Sequence, residues 1–210
     1  SLRQAGSVVP VPLADRDGAD VLAFGSDLLA LYPALEGTAL RDADLEPPLV
    51  ERLGAELARL HGLGSGIAGQ GRPPAGVRVG SRIVRHPSPA GAWQAALGQD
   101  AACAAALDRH PLAGRLASLL EASGRRVRSV ADGCPRGLVH GDFGAGNVLV
   151  RPDGGFAVVD WDLCDTDLLV WDLARAVDLL AVRWPDDPGR PVEVRRDVLA
   201  AFVRGYHRVR

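Results

Sequence analysis

Two short apolar runs, Val148-Leu149-Val150 and Phe156-Ala157-Val158-Val159, flank Pro152-Asp153-Gly154-Gly155. So strong a turn signal between alternating strands constrains the segment to an antiparallel hairpin. Asn147 stands immediately before the first run and Asp160 immediately after the second. In an antiparallel pair those ends are neighbours, about 5 Å apart at the backbone. An amide oxygen and a carboxylate therefore meet at one end of a rigid unit. Such hard oxygens suit Mg²⁺, which takes few protein ligands and completes its shell with water and phosphate. Asp142 lies five residues before Asn147 on the loop His140-Gly141-Asp142-Phe143-Gly144-Ala145-Gly146, whose glycines allow it to fold back to the same spot.

The rest of the chain supplies a helical frame. Val8-Val9-Pro10-Val11-Pro12-Leu13 alternates valine with proline and is extended, because proline opposes helix at its own position and the one before. Short strands are expected over Ala19–Phe24 and Leu28–Tyr32, joined by Gly25-Ser26 as a two-residue turn. After Pro47-Pro48, Leu49, Leu53, Leu57 and Leu60 recur with helical period up to Gly62, which predicts an amphipathic helix. Further helices are expected over Trp93–Leu107, over Leu112–Ser123 with a stop at Gly124, and at about 168–182 and 192–208, whereas 62–91 is rich in Gly, Pro and Arg without a period.

Composition narrows the function classes. The chain has 210 residues, 47% hydrophobic and 24% charged, enough to bury a sizeable core. With 24 basic against 26 acidic residues the net charge is −2, which excludes a general nucleic-acid binder. All the basic residues are arginine, and there is neither lysine nor methionine. This arginine, glycine, proline and alanine bias suggests a GC-rich bacterial coding sequence. Cys103, Cys134 and Cys164 are odd in number and far apart, so reduced thiols in the cytoplasm are expected rather than a disulfide or zinc framework. The most apolar stretch, Leu168–Trp184, is interrupted by Asp172, Arg175, Asp178 and Arg183; it predicts a buried amphipathic helix and no membrane span.

His140-Gly141-Asp142 followed by Asn147, with Asp160-Trp161-Asp162 after the hairpin, resembles the kinase pattern H-R-D-L-x-x-x-N and its later metal aspartate. Glycine in the middle of the first motif and D-W-D as the second resemble the aminoglycoside phosphotransferase / choline kinase family. Leu31-Tyr32-Pro33-Ala34-Leu35-Glu36-Gly37 is similar to that family's hinge, Leu57-Ala58-Arg59-Leu60-His61 to its first large-lobe helix, and Trp171-Asp172-Leu173-Ala174 to its D-L-A helix start. The resemblance implies an α+β, protein-kinase-like fold: a mostly helical large lobe with a catalytic β-hairpin, here residues 37–210, preceded in 1–36 by a remnant of the small-lobe sheet and the hinge. It implies transfer of the γ-phosphate of ATP (or GTP) to a hydroxyl of a small molecule such as an antibiotic, amino alcohol or sugar. Asp142 would be the catalytic base, Asn147 and Asp160 the Mg²⁺ ligands, and Leu31 and Tyr32 the nucleotide contacts. Neither a nucleic acid nor a membrane is an expected partner, and the oligomeric state is left open.

The family's phosphate-binding lysine and nucleotide-covering hairpin have no counterpart in these residues, so the chain is expected to be a fragment or truncated copy. As such it is either inactive by itself or a non-catalytic small-molecule or partner-binding module. Other polar residues have local readings. His140 holds its loop by hydrogen bonds, His61 packs or caps a helix end, and Asp172 braces the catalytic loop. Asp162, Asp165 and Asp167 form an acidic run, read as a solvated loop leading into a helix N-terminus. Its alternative is a patch in which Asp162 and Asp165 attract a cationic substrate.

Overall fold

The computed structural model describes residues 8–25, 27–64, 105–106, 109–187 and 189–210. The helix expected over Trp93–Leu107, apart from Ala105 and Ala106, lies outside the described residues, as do Cys103, Ser26 and residues 65–91.

The leucine stripe after Pro47-Pro48 builds helix α1, Pro47–Gly64, two residues further than Gly62. Its core face carries Val50, Leu53 and Leu57, all fully buried, with Ala58 and Leu60 beside them. Against it packs the last helix of the chain, Arg196–His207, which buries Val198, Ala201, Phe202, Gly205 and Tyr206, an i, i+3, i+4 pattern of an amphipathic face. The two helices meet backbone to backbone. A Cβ on Gly54 would stand 2.1 Å from the Phe202 carbonyl oxygen, and one on Gly205 would stand 1.7 Å from that of Glu51. Only glycine permits this approach. Arg204 of the last helix and Arg208 just past its end both pair with Glu51 of α1.

The expected hairpin is present. Numbering strands along the chain, β1 (Leu22–Phe24) and β2 (Asp27–Leu29) form an exposed hairpin of their own, shorter than the expected runs. β3 (Thr38–Ala39) then joins one edge of β5 (Val148–Val150), whose other edge pairs with β6 (Phe156–Val158). The β5–β6 register matches Val148 with Val158 and Val150 with Phe156, and Val8 bridges Ala157 in parallel. Val148 and Val158 are fully buried, so the base of the hairpin is anchored in the core formed by the helices. The turn is held from α1: Arg52 donates to the Gly154 carbonyl, and its guanidinium sits 4.8 Å above the Phe156 ring, a cation–π contact.

Three expectations are corrected. Helix α2, Ala113–Ala131, runs straight through Gly124, which is buried within it; a glycine costs about 1 kcal/mol inside a helix, which Arg125, Arg126 and the apolar positions beyond it outweigh. Asp165–Leu168 is a strand, β7, rather than a solvated loop, and it pairs antiparallel with β4, Arg136–Val139. Asp165 is 8% exposed and Asp167 is fully buried, so these two carboxylates do not form part of an open acidic patch. The last helix begins at Arg196, because the residues before it form β9 (Glu193–Val194), paired with β8 (Val182–Arg183) directly after helix α3, Leu169–Ala181. The last helix is therefore α4. Among the described residues no helix is long and apolar enough to cross a membrane.

A buried polar network fastens these pieces. Asp172 of α3 is fully buried. Its Oδ2 accepts from His61 Nε2 at 3.0 Å and from the His140 amide at 2.8 Å, and its Oδ1 accepts from the Gly141 amide at 2.8 Å. His61 Nδ1 meets the Tyr206 hydroxyl of α4 at 2.8 Å. His140 accepts the Asp142 amide on Nδ1 at 3.2 Å and donates from Nε2 to the Val159 carbonyl at 3.0 Å. That pattern is satisfied by a neutral ring. Burial, the largest influence, pushes the His140 pKa down, against smaller raising effects of the Val159 carbonyl and of Asp172, Asp142 and Asp160.

Gly205→Ala is expected to lower stability by at least about 2 kcal/mol through overpacking at the α1–α4 contact; an unchanged urea midpoint would remove that contact as a constraint. The buried neutral His140 sets a sign for pH dependence. Below about pH 6.5 the unfolded chain binds a proton that the folded ring refuses. Stability is therefore expected to fall as pH drops from about 6.5 towards the lower folded value, and His140→Gln should flatten that part of the profile. A profile of unfolding midpoint against pH with equal slopes in both proteins would refute it.

Candidate functional site

The loop after β4 is shaped by one glycine. Gly141 has φ +84°, and a Cβ there would stand 2.4 Å from the Leu163 carbonyl oxygen. Any side chain would meet both a disfavoured backbone and a neighbouring turn, which accounts for glycine in the middle of the motif. Asp172 holds the Gly141 and His140 amides, so the chain enters Asp142 from a fixed position.

Asp142 is partly buried, and each of its oxygens has a partner. Oδ2 accepts from Asn147 Nδ2 at 3.0 Å, and Oδ1 accepts from Arg175 at 3.1 Å. Asn147 Nδ2 also donates to the Asp142 carbonyl at 2.9 Å. A 3₁₀ turn over Ala145–Asn147 brings the two residues together, with Asn147 N donating to Gly144 O at 3.1 Å and Gly144 N to Asp142 O at 2.8 Å. With its NH₂ group spent on Asp142, Asn147 has Oδ1 left as its ligand atom.

The strand ladder continues past β5 and β6: Val159 N donates to Asn147 O at 3.0 Å. Asn147 therefore faces Val159, and Asp160 stands one residue beyond, at the same end of the hairpin. Asp160 has φ +60°, the one described non-glycine residue in the left-handed region, at a cost of about 1 kcal/mol. Trp161 fixes the chain after it by donating from Nε1 to the Val158 carbonyl at 3.0 Å and by packing on the His140 ring at a centroid distance of 4.6 Å.

A cavity of about 520 Å³ opens on this end of the hairpin, with Tyr32, Pro33, Leu149, Asp160, Asp162 and Cys164 among its walls. Of the sequence-derived candidates, Tyr32, Asp160 and Asp162 therefore share one cleft. Leu31 does not line it; it is 70% exposed, and its carbonyl accepts from the Leu13 amide. Asp165 lies in β7 and is buried away from the cleft. Burial, with lesser contributions from the charges of Asp165 and Asp162, pushes the Cys164 thiol up, so this cysteine is held as the unreactive thiol. Among the described residues no group of three or more His, Cys, Asp or Glu side chains has the geometry to hold a metal. The donor set at the hairpin end is instead one amide oxygen and one exposed carboxylate. That set fits Mg²⁺ bound mainly through phosphate and water and does not fit a closed structural metal site.

Sequence reasoning missed Arg175. It lies one helical turn after Asp172, and residues at i and i+3 share a helix face. Once Asp172 is placed against the amides of His140 and Gly141, Arg175 falls beside Asp142.

The sequence profile of the phosphotransferase enzyme family matches residues 1–210. No curated protein sequence matches the chain. Among solved structures, the amicoumacin kinase hAmiN in complex with AMP-PNP, Ca²⁺ and Ami aligns with TM-score 0.61 and 17% identity, over 99% of this chain and 58% of that one. Choline kinase from Cryptosporidium parvum aligns with TM-score 0.58 and 9% identity, over 96% of this chain and 57% of that one. An aminoglycoside phosphotransferase from Alicyclobacillus acidocaldarius aligns with TM-score 0.55 and 15% identity, over 99% of this chain and 61% of that one. The chain thus spans about three fifths of the length of each of these structures. At such identities the likeness is one of fold, the kinase-like α+β fold, while the profile match along its whole length shows that the chain belongs to the phosphotransferase enzyme family.

Proposed function

We propose that this chain carries the metal-binding and acceptor-activating half of a cytoplasmic small-molecule kinase, which transfers the γ-phosphoryl group of ATP (or GTP) to a hydroxyl. One observation supports this reading above the others: Asn147 bonds Asp142 with its NH₂ group at the same hairpin end where Asp160 lines a cleft with Tyr32. On this reading Asp142 is the base, Asn147 and Asp160 supply two metal-ligand oxygens, and Tyr32 offers a ring for the nucleotide. Asn147 Oδ1 and Asp160 would hold Mg²⁺, which neutralises phosphate charge when bound. Tyr32 and the apolar wall at Leu149 would take the nucleotide base.

Asp142 does the proton work. Its two donors, Arg175 and Asn147, fix the carboxylate plane, and each oxygen keeps a second lone-pair direction for an acceptor hydroxyl. The acceptor oxygen forms the new bond to the γ-phosphorus. The bridging P–O bond to the β-phosphate breaks with its electron pair, and the hydroxyl proton passes to Asp142. The contribution of the chain is positioning and charge compensation rather than covalent chemistry.

The absence of lysine from all 210 residues favours a second reading for the chain by itself, as a binding module with little turnover. Phosphoryl transfer needs the triphosphate held from both sides, and arginine does not reproduce a compact ammonium. Calorimetry with Mg²⁺-AMP-PNP and a radiolabel transfer assay separate the two: binding with turnover far below about 1 s⁻¹ is expected for the 210-residue chain, and turnover at or above that rate would refute the module reading.

In whichever form of the protein turns over, Asp142→Asn is expected to lower kcat by roughly 10²–10⁴-fold, at a stability cost of roughly 1–3 kcal/mol because the new NH₂ group must face a donor. A variant retaining near-native kcat would remove Asp142 from the reaction.

A further inference from the structure

A second cleft, of about 460 Å³, is lined by Gly141, Leu163, Trp171, Ala174, Arg175 and Asp178. Its walls include an apolar part: the Trp171 ring, Ala174 and Leu163, which is 43% exposed. Among the described residues its two charged lining groups are bonded to each other, Arg175 to Asp178 Oδ2 at 3.1 Å. The same guanidinium reaches Asp142 Oδ1 at 3.1 Å, and the other oxygen of Asp178 accepts from Trp184 Nε1 at 3.1 Å. One cation thus serves two carboxylates, and the three groups together carry one net negative charge. The neighbouring acidic run adds nothing here. Asp165 and Asp167 are buried in β7, and Asp162 lines the first cleft.

Resting on the phosphotransferase reading, we propose that this second cleft receives the acceptor, and that the acceptor is a hydroxyl compound with an apolar ring or chain face and at most one positive charge. The cleft adjoins Asp142 through Arg175, which bonds its Oδ1, and through Gly141, the residue before it, and it shares no lining residue with the cleft at Tyr32. An apolar face gains by covering Trp171 and Leu163. The single net negative charge of the Arg175, Asp142 and Asp178 cluster balances one ammonium group, whereas each further one meets the guanidinium as an uncompensated like charge.

The test is calorimetric titration of the 210-residue chain, at low salt and with Mg²⁺-AMP-PNP present, using two probes. One is 3-phenyl-1-propanol, a neutral alcohol with an aromatic face, and the other is neamine, a sugar with several ammonium groups. The alcohol is expected to bind at least roughly fivefold more tightly than neamine. Ala174→Trp fills the cleft from an exposed position and should weaken the alcohol by a similar factor. Arg175→Ala frees both carboxylates and should strengthen neamine several-fold, whereas Arg175→Lys should not. Tighter binding of neamine to the unaltered chain, or alcohol binding indifferent to Ala174→Trp, would overturn the proposal. Failure of Mg²⁺-AMP-PNP itself to bind would count against the phosphotransferase reading, and with it against an acceptor role for the cleft, whatever the two probes do.

Discussion

The carboxylate of Asp172 accepts three hydrogen bonds in a site closed to solvent, and these bonds join elements far apart in the sequence. His61 comes from α1, the His140 and Gly141 amides from the loop after β4, and the carboxylate from α3. Through His61 the network reaches Tyr206 of α4. A buried charge is tolerated only when its lone pairs are filled in this way. The donors are therefore fixed relative to one another, and the loop that carries Asp142 takes its position from helix packing rather than from its own sequence. The glycine contact between α1 and α4 belongs to the same arrangement: Gly54 and Gly205 let the helices approach closely enough for His61 and Tyr206 to meet.

What was legible in the sequence follows from how local each signal is. The β5–β6 hairpin is written in its turn residues and apolar runs, and Asp142 and Asn147 are linked by a turn of their own loop, so spacing alone predicts their meeting. The β4–β7 pairing had no such signal. Asp165-Thr166-Asp167-Leu168 places poor strand formers at inward positions, and the strand exists because β4 lies beside it and α3 follows at once. Gly124 misled in the opposite sense: a propensity cost of about 1 kcal/mol is a weak prior, and the surrounding helix overrides it. Arg175 needed the helix register of α3 and the target of Asp172 together, a relation that no motif spacing conveys.

The positions that break local rules gather at the site. Gly141 and Asp160 both have positive φ, one on each side of the hairpin base. Elsewhere the described positive-φ residues are glycines in turns, where such geometry costs little. Asp160 is different, since an aspartate in that conformation gives up stability. The left-handed residue sets the path of the chain as it leaves β6 and leads to Trp161, whose indole is tied back to Val158. The Asp160 side chain is exposed and lines the cleft at Tyr32.

Asn147 couples Asp142 to the end of the hairpin. Its NH₂ group is bound to the carbonyl and carboxylate of Asp142, which turns its remaining oxygen away from that carboxylate. The amide plane that would present a metal ligand under the proposed function is therefore the same plane that orients the Asp142 carboxylate, and a shift in one moves the other. Arg175 supplies the second fixed point of Asp142 from a different element, α3. With one oxygen held by the hairpin loop and the other by the helix, the carboxylate cannot rotate without breaking a charge-assisted bond. The Asp142 carboxylate is thus held between the hairpin loop and α3, and its orientation depends on the same helix that carries Asp172. Positioning of this carboxylate and integrity of the fold are in this way properties of one helix.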